Sequence, residues 1–137
     1  MRPTLIEKER NIELHLSDVG TGISQILPII VANNYYKNYY ITIQQPELHL
    51  HPAQQTELGD LFISTNNINV VETHSEHLML RLLKRIRENN LSTEEISVNV
   101  FDIKGGFLLV KKIKIDDSGE FDEWPNGFFE ERINEVL

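Results

Sequence analysis

The chain has 137 residues, 40% hydrophobic and 25% charged, with 21 acids against 13 bases and a formal net charge of −8. That balance excludes a generally basic nucleic-acid binder, the absence of cysteine excludes a disulfide framework or a thiolate metal site, and no apolar run approaches the ~20 residues that cross a bilayer. The charge is uneven: residues 1–115 carry 13 acids and 12 bases, whereas residues 116–137 carry eight acids and one base, Arg132.

The first ten residues, MRPTLIEKER, contain no apolar signal-peptide core, so a cytoplasmic location is expected. Ile12–Leu16 alternates apolar and polar and predicts a half-buried strand. Ser17 to Gly22 breaks that pattern, and Ile23 to Val31 reads as a buried helix distorted by Pro28 and stopped at Asn33-Asn34. Tyr39 to Ile43 is aromatic and β-branched, hence a strand. Pro52 opens a helix over Ala53–Ile63. Ile68–Val71 is the next short strand, and Ser75 can cap a helix running from Glu76 to about Glu88. Ile96–Ile103 and Phe107–Ile115 alternate on either side of Gly105-Gly106, which predicts a hairpin. Asp116–Glu123 reads as an acidic loop, followed by a short helix near Phe128–Val136. Strand and helix alternate through the middle, so the fold class expected is α/β, a mainly parallel sheet flanked by helices with a C-terminal antiparallel hairpin. The domain division expected is a lobe over 1–115 and an acidic loop plus short helix over 116–137.

Three segments carry chemistry. In Leu16–Gln25 the run Gly20-Thr21-Gly22 precedes a helix whose first N–H groups can receive an anion, although a plain loop-to-helix junction has the same pattern. In Tyr40–Pro52 an apolar strand runs into Gln44-Gln45-Pro46-Glu47, at the sheet edge where α/β proteins bind ligands. Glu47, His49 and His51, joined by His74 and His77, suggest a metal site; the alternative is that these histidines cap the Pro52 helix and pack at an interface. In Val70–Leu78 a strand runs into Glu72-Thr73-His74-Ser75, where a histidine can donate to a phosphate or a carboxylate, or the cluster can simply cap a helix.

Taken together, Asp18–Pro28 (DVGTGISQILP), Ile41–Pro52 (with QPELHLHP) and Val70–Leu78 (with ETHSEHL) resemble the C-terminal half of an ABC-type ATPase head of the SMC, RecF and OLD-like class, a P-loop fold. The tail from Trp124 to Glu130 resembles that group's short C-terminal module. The resemblance implies that nucleotide lies between two heads. His74 would face the γ-phosphate side in cis, while Gly20, Thr21, Gly22 and Ser24 of the signature loop and helix would face it in trans. The Walker B positions, normally an Mg²⁺-holding acid and a catalytic glutamate, read Gln44 and Gln45. Relatives often carry an acid followed by glutamine, so Gln44 is the departure, a weak Mg²⁺ position. Glu47 and Glu72 are the acids that can substitute.

No Gly-x-x-x-x-Gly-Lys-Ser/Thr occurs in the 137 residues, so ATP and Mg²⁺ are expected only when a Walker A-containing N-terminal region or subunit completes the site. The resemblance further implies a head-to-head dimer and a possible DNA partner, with Arg81, Lys84, Arg85 and Arg87 on one helix as the local basic feature. No membrane partner is expected. Two other readings stand beside this one. The first is a catalytically degenerate head used for dimerisation or partner binding, favoured by Gln44. The second is a metal-dependent hydrolase using His49, His51 and His74.

Overall fold

The computed structural model describes residues 4–123. Its elements run β1 (Thr4–Glu7), β2 (Ile12–His15), α1 (Thr21–Tyr35), β3 (Tyr40–Gln44), α2 (Pro52–Ile63), β4 (Ile68–Glu72), α3 (Glu76–Arg87), β5 (Val98–Lys104) and β6 (Phe107–Ile113). They divide into two compact units, residues 1–75 and 76–137. The fold is α/β. Among the described residues the sheets are three separate pairs: antiparallel β1–β2, parallel β3–β4 and antiparallel β5–β6. The expected mainly parallel sheet is therefore reduced to a single parallel pair, because no further described strand occupies either outer edge of β3–β4. No helix among the described residues is long and apolar enough to cross a membrane.

In the first unit, β1 pairs β2 with Leu5 opposite Leu14 and Glu7 opposite Ile12. β1 is an element the alternation of Ile12–Leu16 alone does not reveal. α1 starts on Gly20 and continues through Asn33 and Asn34 instead of stopping there. The reason is local: both asparagine amides donate back to the carbonyls four residues earlier, Asn33 to Ile29 at 3.2 Å and Asn34 to Ile30 at 2.8 Å. Asn33 is fully buried and its Oδ1 accepts the Thr65 hydroxyl at 3.2 Å. The Asn67 amide donates to the carbonyls of Asn33 and Tyr36, which ties the end of α1 to the turn before β4.

α2 is capped by His51. The Ala53 N–H donates to His51 Nδ1, Gln54 Oε1 accepts the His51 N–H, and Pro52 occupies the first helical position where no N–H is needed. Leu58, Gly59 and Phe62 form its buried stripe, and Ile43 and Leu50 are buried in the same unit. β3 and β4 run side by side in the register Tyr40–Ile68 through Gln44–Glu72. Side chains alternate across the pair, so Ile43 is buried while Tyr40, Thr42 and Gln44, with Ile68, Val70 and Glu72, are exposed on the other face.

In the second unit α3 buries Leu78, Met79, Leu83 and Ile86 and carries its basic residues toward its C-terminal turn, where cations complement the helix dipole. The expected hairpin is present. β5 and β6 pair from Val98–Ile113 to Lys104–Phe107, closed by Gly105 and Gly106 at φ +58° and +83°. Two successive positive-φ residues are what a two-residue hairpin turn requires. The segment after β6 forms a bridge between Ile115 and Phe121 around the Asp116–Glu120 turn. The helix expected at Phe128–Val136 lies outside the described residues.

Candidate functional site

The first two chemistry-bearing segments, and the third as far as Ser75, belong to the first unit, where hydrogen bonds and close packing join the second segment to each of the others. The parallel register makes Gln44 and Glu72 neighbours at the carboxyl ends of β3 and β4. The ladder continues one step beyond, because the Gln45 N–H donates to the Glu72 carbonyl at 2.8 Å. Gln45 itself takes φ +43° directly before Pro46. A left-handed glutamine preceding proline is a sparsely populated state that costs on the order of 1–3 kcal/mol and persists only where surrounding structure imposes it. His49, at φ +62°, is a second such residue in the same loop.

The loop after β3 is then fastened to the loop after β4 by Glu47. Glu47 Oε1 accepts the His74 backbone N–H at 2.7 Å and Oε2 accepts the Thr73 hydroxyl at 2.8 Å. The Thr73 Oγ1 also accepts the Ser75 N–H at 3.0 Å. The Ser75 hydroxyl donates to Gln55 Oε1 at 2.7 Å, and the Gln55 amide donates to the Leu50 carbonyl at 3.0 Å. Glu47 and Thr73 are half-buried and Ser75 is buried, whereas the His74 side chain is exposed. The carboxylate thus holds the backbone at His74 and leaves the imidazole outside. Thr73, Ser75 and Gln55 complete this network. Of these Thr73 and Ser75 belong to the cluster that stands out in the sequence, whereas Gln55 does not, because it meets Ser75 from 20 residues away.

The helix start reaches the same loop through Gly22. A Cβ there would lie 2.5 Å from the His49 carbonyl oxygen and 3.0 Å from Leu50 Cδ2, so only glycine lets α1 approach the loop this closely. Gly20 differs. It caps α1 at φ −60° and ψ 154° without a side-chain cap, and a Cβ there would meet nothing within 4 Å. Neither backbone strain nor packing inside the described chain requires a glycine at that position. The first turn of α1 contains no acid, and the Ser24 hydroxyl donates to the Thr21 carbonyl at 2.9 Å instead of covering the helix end. The open end presents N–H donors and partial positive charge, suited to an anion.

The metal-centre reading of the histidines does not survive this geometry. His51 Nδ1 is engaged as the α2 cap, and no three His, Cys, Asp or Glu residues converge on one point among the described residues. For Mg²⁺, which takes one or two carboxylates plus water and phosphate oxygens, the donors at the strand ends are different. The Gln44 amide is a weak ligand, each Glu47 oxygen already accepts a hydrogen bond from the His74 loop, and Glu72 is the register neighbour of Gln44.

The family model described as AAA ATPase domain matches residues 3–79, more than half of the chain. The chain belongs to the AAA ATPase domain family. ATPases of this family generally use ATP with Mg²⁺, and the matched span of this AAA ATPase domain includes α1, the parallel pair, Glu47 and His74. A second family model, described as Protein of unknown function (DUF3696), matches residues 91–137 and includes the β5–β6 hairpin. No curated protein and no solved structure matches the chain significantly.

Proposed function

We propose that this AAA ATPase domain is the C-terminal lobe of an ABC-type head of the SMC, RecF and OLD-like class, with a P-loop fold. Gly20, Thr21, Gly22 and Ser24 form its signature loop and helix start. Gln44 and Gln45 occupy the Walker B positions, and His74 is the switch histidine. A Walker A-bearing segment or subunit completes the site, and two such heads face one another across nucleotide. When bound, ATP with Mg²⁺ supplies the phosphoryl group and the cation that neutralises its charge. This chain's residues receive the γ-phosphate on helix N–H groups, orient water through the Gln45 amide, and hold His74 toward the site.

The observation that carries this reading is the β3–β4 register, with Gln44, Gln45, Glu72 and His74 at one carboxyl edge, the usual ligand-binding edge of α/β sheets. Two further features support a completing partner. Both outer edges of the parallel pair are open among the described residues, and its exposed face carries Tyr40, Ile68 and Val70 at 75%, 54% and 54% exposure. Parallel sheets are ordinarily covered on both faces. The test is complementation: adding a Walker A-bearing N-terminal half should produce ATP hydrolysis that falls at least about tenfold with His74→Ala. Turnover unaffected by that substitution would overturn the assignment of His74.

The same reading assigns residues 1–115 to the lobe and 116–137 to its C-terminal module, in the cytoplasm, and couples the ATPase to DNA transactions such as repair, mobile-element control or phage defence. The DNA contact would be α3. There Lys84 and Arg85 lie 3.6 and 2.6 Å from Glu88, and Arg87 lies 3.6 Å from Glu120, so DNA phosphates would displace existing acid partners. Replacing Arg81, Lys84 and Arg85 with alanine should weaken DNA binding by the complete assembly and flatten its salt dependence; unchanged binding rejects this contact.

Gln44 favours a second reading, a catalytically degenerate head that dimerises or binds a partner. Gln44→Asp in the complete assembly separates the two. A large gain in hydrolysis marks a degenerate site, whereas no gain over substantial wild-type turnover means another acid serves the cation.

A further inference from the structure

Two acids, Glu47 three residues along the chain and Glu72 on the neighbouring strand, are candidates beside the Walker B position, and the structure separates their roles. Glu47 is committed. One oxygen holds the His74 N–H and the other the Thr73 hydroxyl, so its carboxylate is already fixed in place by the His74 loop. Glu72 is the opposite case. It is exposed at the last position of β4, and its carboxylate makes no hydrogen bond or ion pair with any described residue. It is also the register partner of Gln44. Register partners on parallel strands stand about 4.8 Å apart and project to the same face, and both side chains are exposed on the open face of the pair. The Gln45 N–H bonded to the Glu72 carbonyl fixes the backbone from which that carboxylate projects.

We infer that Glu72 supplies the carboxylate of a divalent-cation site, with Gln44 Oε1 as its neutral companion ligand, so that the anionic ligand is delivered from β4 instead of from β3. The inference rests on the ATP-site reading above for its biological cation, Mg²⁺, and adds the ligand that reading lacks. The chemistry is consistent. Mg²⁺ demands hard oxygen ligands, accepts a single protein carboxylate, and keeps most of its coordination sphere for water and phosphate oxygens. A converging set of three acids is therefore unnecessary. Asp or Glu at position 44 and Glu at position 72 are alternative sources for the same charge, which predicts that the two positions compensate for one another.

The test uses the full 137-residue chain and Mn²⁺ alone, read by paramagnetic broadening of backbone amide resonances, which detects weak binding and locates it. Broadening should be greatest at residues 44–45 and 72–73. It should be lost in Glu72→Gln, whose fold should be unchanged because the Glu72 carboxylate makes no hydrogen bond or ion pair with any described residue. It should return in the double variant Gln44→Glu/Glu72→Gln, where the carboxylate has only changed strands. Absence of broadening at these amides in the parent chain, broadening that survives Glu72→Gln, or failure of the double variant to restore it would each overturn the inference. Nucleotide photolabelling of the complemented assembly separates this from the wider reading. Labelling at His74 without a Glu72-dependent Mn²⁺ signal leaves the ATP site standing and removes Glu72 from it. The Mn²⁺ signal without nucleotide labelling does the reverse.

Discussion

The Glu47 carboxylate accepts the His74 backbone N–H at 2.7 Å while its second oxygen accepts the Thr73 hydroxyl. One side chain therefore couples the loop after β3 to the loop after β4, and any movement of the first is felt at the second. Glu47→Ala leaves a half-buried hydroxyl and an N–H without their charged acceptor and should destabilise the fold by about 1–3 kcal/mol. Glu47→Gln keeps one acceptor oxygen and should cost less. Urea denaturation gives the two values, and the His74 amide shift reports the loss of the bond directly.

The two glycines at the start of α1 should respond in opposite ways. Gly22→Ala forces a methyl group to 2.5 Å from the His49 carbonyl oxygen and should cost about 1–3 kcal/mol as the helix and loop are pushed apart. Gly20→Ala meets open space at an ordinary φ, so its effect on stability should stay below about 1 kcal/mol, the scale of a lost helix cap. If an anion is received at Gly20, the same substitution should still reduce hydrolysis in a complemented assembly. Thermal melts paired with turnover separate a packing glycine from a ligand-facing one.

Asn33 marks where helix signals and tertiary context conflict. It is fully buried, bonded to the Ile29 carbonyl and to the Thr65 hydroxyl. Asn33→Ala removes the acceptor of the Thr65 hydroxyl and opens a small void, and should cost about 1–3 kcal/mol by chemical denaturation.

Acid should loosen the Asp116 turn before it affects neutral regions. The Ser118 hydroxyl, and then the Glu120 N–H, hold the Asp116 carboxyl below the usual carboxylate range. A group whose folded pKa is lowered favours folding while ionised. Its contribution is complete above the ordinary aspartate value and disappears as pH falls through the folded value. Glu88 behaves in the same sense, its carboxyl lowered chiefly by the hydrogen bond from Arg85. Amide shifts of Ser118 and Glu120 should titrate at low pH in the parent chain and stay flat in Asp116→Asn.

The elements whose patterns are local were legible in the sequence: Pro52 at the start of α2, the β-branched strands β3 and β4, and the hairpin around Gly105-Gly106. What was not legible depended on partners distant in the chain. β1 has four residues, and it is identified by pairing Leu5 with Leu14 more than by its own composition. α1 runs on to Tyr35 although Asn33-Asn34 reads as a stop, because both amides bond back into the helix. His51 showed the two meanings a histidine can carry, ligand or cap, and only the bond from Ala53 decides between them. Glu47 and Glu72 could not be separated by sequence either. Their difference lies in hydrogen bonds reaching 26 and 27 residues along the chain, which one acid makes and the other does not.

Calorimetric titration with Mg-ATP tests most directly the proposal that a Walker A-bearing segment completes an ATP site with this chain. The 137-residue chain alone should show no micromolar binding, and micromolar binding should appear once a Walker A-bearing segment is supplied. Micromolar binding by the chain alone would contradict that proposal.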